Sequence, residues 1–145
     1  KYQGERILSK PMIEWMTQGV KIKGWEFDII VPVPLYPKRE RKRGFNQAAL
    51  LAEGIGRNLN KPVLRRNLVR VIDTQTQVSL DKYARIANLQ GAFQILNPSQ
   101  FKDKTVLLVD DVYTTGATTD QCSRVIWGAG ARDVFVLTRA TGRNT

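Results

Sequence analysis

The sequence predicts an α/β fold, a doubly wound parallel sheet with helices on both faces. Three observations carry that reading. Continuous apolar runs such as "FDIIVPV" and "TVLLV" suit strands covered on both sides rather than half-exposed ones. Between such runs lie stretches whose apolar residues recur every three or four positions, the spacing of a helix with one buried stripe. Strands and helices alternate along the chain, and parallel strands need crossovers, which helices provide.

In chain order, "ERILSKPMIEWM" places Ile7, Leu8, Met12, Trp15 and Met16 at helical spacing, with Gly19 as the expected stop. "FDIIVPV" is a buried strand ended by prolines, and the basic segment after it reads as a loop. In "FNQAALLAEGIGRNLN", Phe45, Ala48, Ala52, Ile55 and Leu59 step by three and four, so a helix follows, with Asn46 and Gln47 placed to cap it. A strand is expected from Leu68 to Ile72, then the polar stretch "DTQTQ" (Asp73 to Gln77), then a short helix capped by Ser79 and running to about Leu89. "AFQI" and "TVLLV" read as strands separated by "NPSQFKDK". A helix from Thr118 to Trp127 would bury Cys122, Val125, Ile126 and Ala129, with Gly130 near its end, and "DVFVLT" closes the sheet.

At 145 residues and 42% hydrophobic content the chain is expected to form one domain, residues 1–145, with a real core. No internal repeat or low-complexity tract interrupts it. The apolar runs are too short to span a membrane and no cleavable leader is visible, so a cytoplasmic protein without membrane insertion is expected. A chain that starts at Lys1 rather than methionine reads as a fragment. One cysteine, Cys122, excludes an internal disulfide, and the absence of histidine excludes histidine triads and histidine-ligated metals. The net charge is +10, and residues 38–70 hold ten bases against Glu40 and Glu53, a local +8. Such a block attracts phosphates, of a nucleotide-like ligand or of a nucleic-acid backbone, unless it is only a solvated face.

The stretch "TVLLVDDVYTTGAT" carries the chemistry. Asp110 and Asp111 fall at the carboxyl end of a buried strand, where open α/β sheets bind ligands. Neighbouring side chains alternate across a strand, so both can serve one site only if the chain turns there, and the turn is expected at once. "TTGAT" then offers backbone N–H groups, a glycine and three hydroxyls just before a helix amino end, which suits a phosphate. Carboxylates beside it would accept from sugar hydroxyls or hold a cation. The ligand implied is a sugar phosphate.

The same residues, "VLLVDDVYTTGAT" at 106–118, resemble the phosphoribosyl pyrophosphate (PRPP) motif of type I phosphoribosyltransferases, with Tyr113 bulkier than the aliphatic residue usual there. "VPVPLYPKRERKRGFNQAALLA" followed by "DTQTQVSLDKYARIANLQGAF" is similar to the ComF family of competence-associated phosphoribosyltransferase-like proteins, and the resemblance runs over roughly residues 27–139. It implies a type I phosphoribosyltransferase sheet with a minimal hood, residues 1–26 forming an amino-terminal helical or hood segment. Family members often carry an amino-terminal four-cysteine zinc ribbon, which these residues lack, so no zinc is expected here.

By position, the resemblance gives Asp110 and Asp111 the ribose hydroxyls, as catalytic residues and as ligands of Mg²⁺ shared with substrate or water. It gives the 5-phosphate to Thr114, Thr115, Gly116, Ala117 and Thr118, and pyrophosphate to the loop bearing Lys38, Arg39, Arg41 and Arg43. Asp73 to Gln77 would form the mobile loop of the fold. The implied ligands are PRPP, with Mg²⁺, or ribose 5-phosphate, and the implied role is phosphoribosyl transfer to an unknown acceptor in competence and DNA uptake. The alternative is a PRPP-sensing module that binds single-stranded DNA through the Lys38 to Arg70 block without turnover; competence or helicase proteins are the protein partners in either case. A vestigial pocket in a structural adaptor is disfavoured by the intact Asp110, Asp111 and Gly116. Trp15 and Trp25 could stack on a base, though core packing is their commoner use.

Overall fold

The computed structural model describes residues 2–73, 91–113 and 116–141. Its elements are α1 (Tyr2–Lys23), β1 (Ile29–Pro32), α2 (Pro37–Arg43), α3 (Gln47–Leu59), β2 (Leu68–Arg70), β3 (Phe93–Ile95), β4 (Thr105–Tyr113), α4 (Ala117–Gly128) and β5 (Asp133–Thr141). Among the described residues β1, β4 and β5 form a parallel sheet in the order β1-β4-β5. Val63 extends it past β1 by a single parallel bridge to Ile30.

Alternation along the strands divides the core in two. Ile29 and Val31 of β1, with Val106 and Leu108 of β4, point to one face, where α4 buries Cys122 and Ile126 and β2 and β3 add Leu68 and Phe93. Ile30, Leu107 and Val109 point to the other, where α1 contributes Met16 and Val20 and α3 contributes Leu51, Ala52 and Ile55. Because both faces are covered, each strand reads as an unbroken apolar run, which is why it was legible in the sequence. The α1–α3 contact is close: a Cβ added at Gly54 would collide with the Ile13 side chain. A larger residue there would force Ile13 to repack or the two helices to separate.

Four expectations are corrected. α1 does not stop at Gly19; it runs to Lys23 and ends at Gly24, whose φ of +67° is left-handed. The basic segment after β1 is not a loop but α2, with Pro37 at its first turn and Gly44 as its left-handed cap; no residue of it is buried, so it has no apolar stripe to announce it. β2 and β3 do not join the parallel sheet but pair antiparallel with each other, Leu68 opposite Ile95 and Arg70 opposite Phe93. Asn67 fixes that pair: its Oδ1 accepts from the N–H groups of Leu96 and Asn97, and its Nδ2 donates to Asn97 O. β4 extends through both aspartates to Tyr113, because β5 continues beside it as far as Thr141. The helix expected at 79–89 lies outside the described residues. Among those described, no helix is long and apolar enough to cross a membrane.

Candidate functional site

The site starts from a mismatch in strand length. β1 pairs with β4 only as far as Pro32 opposite Val109, whereas β4 and β5 stay paired through Asp110 opposite Thr138 and Tyr113 opposite Thr141. Beyond Val109 the β1 edge of β4 is therefore open. Asp110 lies on the α4 side with Val106 and Leu108, and Asp111 on the α3 side with Leu107 and Val109. With no strand paired on the β1 edge there among the described residues, both half-buried carboxylates reach one cleft without the turn that the sequence led one to expect. Asp110 Oδ1 accepts from the Asp111 N–H at 2.8 Å, which orients the first carboxylate.

The cleft encloses about 260 Å³. One wall is Val33 to Leu35, the chain leaving β1, and it is tied down by Asn46: Nδ2 donates to Val33 O at 3.1 Å while Oδ1 accepts from the Ala48 N–H at 3.0 Å as the cap of α3. Gln47 follows at the first turn of α3 and donates Nε2 to Ser9 Oγ of α1 at 3.1 Å. Arg43 and Thr118 complete the lining with Arg70, which reaches in from β2 with its guanidinium 5.2 Å from the centre of the Phe93 ring. Burial lowers the Arg70 pKa from its ordinary value, with Arg39 adding to the effect, while Cys122, Asp73 and Asp110 favour the charged form. An arginine stays protonated under such a shift. Beneath the site burial pushes the Cys122 thiol well up, helped by Asp110 and opposed by Arg70.

Of the residues singled out in the sequence, Asp110, Asp111, Arg43 and Thr118 meet in this cleft. Gly116, at φ +82°, heads α4 beside Ala117 and Thr118, a conformation that glycine adopts without strain. Thr114 and Thr115 lie outside the described residues, as does the polar stretch after Asp73. The other bases are spread out. Arg39 binds Asp73, Nε to Oδ1 at 2.8 Å. Arg41 lines a neighbouring groove of about 710 Å³ with Arg65 and Arg66, and Lys38 is exposed and lines neither space. Glu53 engages Arg65. Pro34, Leu35, Asn46 and Arg70 border both groove and cleft, so the two adjoin.

Trp25 stacks on Phe135 with ring centres 4.8 Å apart, spent on packing, while Trp15 is 67% exposed. Arg70 and Gln47 line the cleft although the sequence did not single them out as ligand-binding residues. Arg70 is one of ten bases in a basic block, and Gln47 reads as a cap; the only hint was that Arg70 interrupts the apolar run of a strand expected from Leu68 to Ile72.

The cleft thus combines the acceptor oxygens of Asp110 and Asp111 with the cations Arg43 and Arg70, a lining suited to a ligand that carries both hydroxyls and anionic groups. Among the described residues no group of three or more carboxylates or thiols could cage a metal. Asp110 and Asp111 are the carboxylates of the cleft that could hold a hard cation.

No family model matches the chain. In sequence it is 39% identical over 110 residues to competence protein F of Haemophilus influenzae, covering 75% of this chain and 48% of that protein. It is 36% identical over 131 residues to competence protein ComFC of Bacillus subtilis, covering 90% of this chain and 51% of that one. The chain belongs to the ComF family. This ComF-family chain spans about half the length of the curated relatives it matches. Its fold is that of the type I phosphoribosyltransferases: the glutamine PRPP amidotransferase of B. subtilis superposes with a TM-score of 0.61 at 17% identity, covering 88% of this chain and 25% of the other. The purine phosphoribosyltransferase of Pyrococcus horikoshii gives 0.55 at 15% identity over 91% of this ComF-family chain and 71% of its own.

Proposed function

We propose that the cleft binds PRPP with Mg²⁺ and that the chain transfers the phosphoribosyl group to an acceptor, releasing pyrophosphate, in the cytoplasm and in the service of DNA uptake. The observation that carries the reading is the acidic pair on the overhanging end of β4, facing the glycine-headed start of α4 across one cleft. The competence names of the relatives support the setting, and the phosphoribosyltransferase fold supports the ligand. Competence or helicase proteins are the partners that this setting calls for.

In this reading Asp110 and Asp111 accept from the ribose hydroxyls. The Thr118 hydroxyl and the first N–H groups of α4 hold the 5-phosphate. As the bond from the anomeric carbon to pyrophosphate breaks, positive charge grows on the ribose, which the carboxylates face, and negative charge grows on the departing group, which Arg43 faces. Asp110 and Asp111 would hold Mg²⁺, which when bound would neutralise charge on the pyrophosphate. The test follows PRPP consumption and pyrophosphate release with candidate acceptors, nucleobases and amines among them, beside calorimetric titration with Mg·PRPP. Binding with acceptor-dependent release supports transfer; absence of binding refutes the reading altogether.

A second reading draws on the adjoining groove, whose Arg41, Arg65 and Arg66 could follow a phosphate backbone. The chain would then sense PRPP while holding single-stranded DNA. Tight PRPP binding without pyrophosphate release, together with salt-sensitive DNA binding, would select it over turnover.

A further inference from the structure

Two side chains that line the cleft, Arg70 and Gln47, each carry a buried polar atom, Arg70 Nε and Gln47 Oε1, with no hydrogen-bond partner among the described residues. They flank the acidic pair from opposite faces of the sheet, Arg70 on the Asp110 side and Gln47 on the Asp111 side. Gln47 is only 6% exposed, and its Nε2 is taken up by the bond to Ser9 Oγ of α1. A buried donor and a buried acceptor left unmatched in one small cleft are costly unless something that enters the cleft completes them.

We infer that Arg70 and Gln47 are ligand contacts of the cleft, Arg70 donating its Nε–H to an anionic oxygen at the pyrophosphate end and Gln47 Oε1 accepting from a protic group. The inference rests on the PRPP reading and assigns two of its contacts. The chemistry divides the roles. An arginine donor with no acceptor calls for a phosphate oxygen, and pyrophosphate supplies these in the greatest number. Gln47 Oε1 needs a donor hydrogen, which ionised pyrophosphate does not offer, so the partner that Mg·PRPP supplies is a sugar hydroxyl or a water on the cation. Ser9 is the positioning residue: without its hydroxyl the Gln47 amide is free to turn its NH₂ into the cleft.

Calorimetric titrations of the parent, Arg70→Gln and Gln47→Leu with Mg·PRPP, Mg·pyrophosphate and metal-free ribose 5-phosphate test the assignment. Arg70→Gln is expected to weaken both pyrophosphate-bearing ligands about 10- to 100-fold and to leave ribose 5-phosphate within about twofold. Gln47→Leu is expected to weaken Mg·PRPP about tenfold. A matching loss for ribose 5-phosphate identifies a sugar hydroxyl as its partner, and a matching loss for Mg·pyrophosphate identifies a metal-bound water. Should Arg70→Gln lower the melting temperature of the unliganded protein, Arg70→Lys replaces it, keeping the charge over Phe93 without the guanidinium Nε–H. A parent that binds Mg·PRPP while these variants bind it equally well overturns the inference alone. A parent that binds none of the three ligands overturns the PRPP reading with it.

Discussion

Replacing both members of the acidic pair, Asp110→Asn with Asp111→Asn, tests the centre of the cleft with little change of shape. An asparagine at position 110 would keep an oxygen able to accept from the N–H of residue 111, the bond that now orients Asp110 at 2.8 Å, so the unliganded variant should fold. What it loses is the charge on two half-buried acceptors. A hydrogen bond to a charged group contributes about 1.5–3 kcal/mol, so the pair accounts for at least about 3 kcal/mol, or roughly 150-fold in the dissociation constant. At a PRPP concentration about a hundred times the parent's dissociation constant, ligand adds about 2.7 kcal/mol to the parent. The variant, then below half saturation, gains only about 0.3 kcal/mol. At about 3 °C per kcal/mol for a domain of this size, the melting shift falls from about 8 °C to about 1 °C. Scanning fluorimetry with and without Mg·PRPP measures it. A double variant that shifts as far as the parent would show that the carboxylates do not touch the ligand, and the site would have to be sought elsewhere.

Three further outcomes are expected. Gly116→Val forces a β-branched residue to φ +82°, which should cost about 1–2 kcal/mol in urea unfolding and abolish ribose 5-phosphate binding by calorimetry; unchanged binding would remove the start of α4 from the site. Arg65→Glu with Arg66→Glu, which border the groove but not the cleft, should lower the slope of log affinity for single-stranded DNA against log salt by about 1.4 and leave Mg·PRPP affinity within about twofold, measured by fluorescence titration. The raised pKa of Cys122 means that the folded state holds its proton more tightly than the unfolded state, so this contribution is fully present below the unfolded value of about 8.5 and declines as pH rises above it. Denaturant midpoints should fall on the alkaline side, and Cys122→Ala should flatten that fall; an identical slope in the variant would assign the loss to other groups.

Much of the fold could be read from the chain because its decisive strands are covered on both faces. β1 and β4 announce themselves as apolar runs, and the stripe through Ala48, Ala52 and Ile55 locates α3. Strand partners are another matter. Leu68 to Arg70 and Phe93 to Ile95 are only three residues each, and nothing in their local pattern says that they pair with each other rather than with β1. α2 escaped notice because its seven residues bury nothing, so it is held by Pro37 and Gly44 at its ends rather than by a stripe. The acidic pair was legible as chemistry, yet the reason both carboxylates share a cleft was not, since it depends on where β1 stops. Gln47 and Arg70 became visible only through what surrounds them: two orphaned atoms are a fact of packing, and composition cannot show it.

The unequal lengths of β1 and β4 also bear on the thermodynamics of capture. Asp110 is laddered to β5 and Asp111 lies between it and Val112, which is laddered too, so their main chain has been ordered during folding rather than at encounter. Ordering one residue's backbone costs about 1–2 kcal/mol, and here that cost falls on the folding equilibrium. Association at this end of the cleft should therefore proceed without the large unfavourable entropy of coupled folding, and amides along the β5 edge of residues 110–113 should exchange with deuterium slowly even before any ligand arrives.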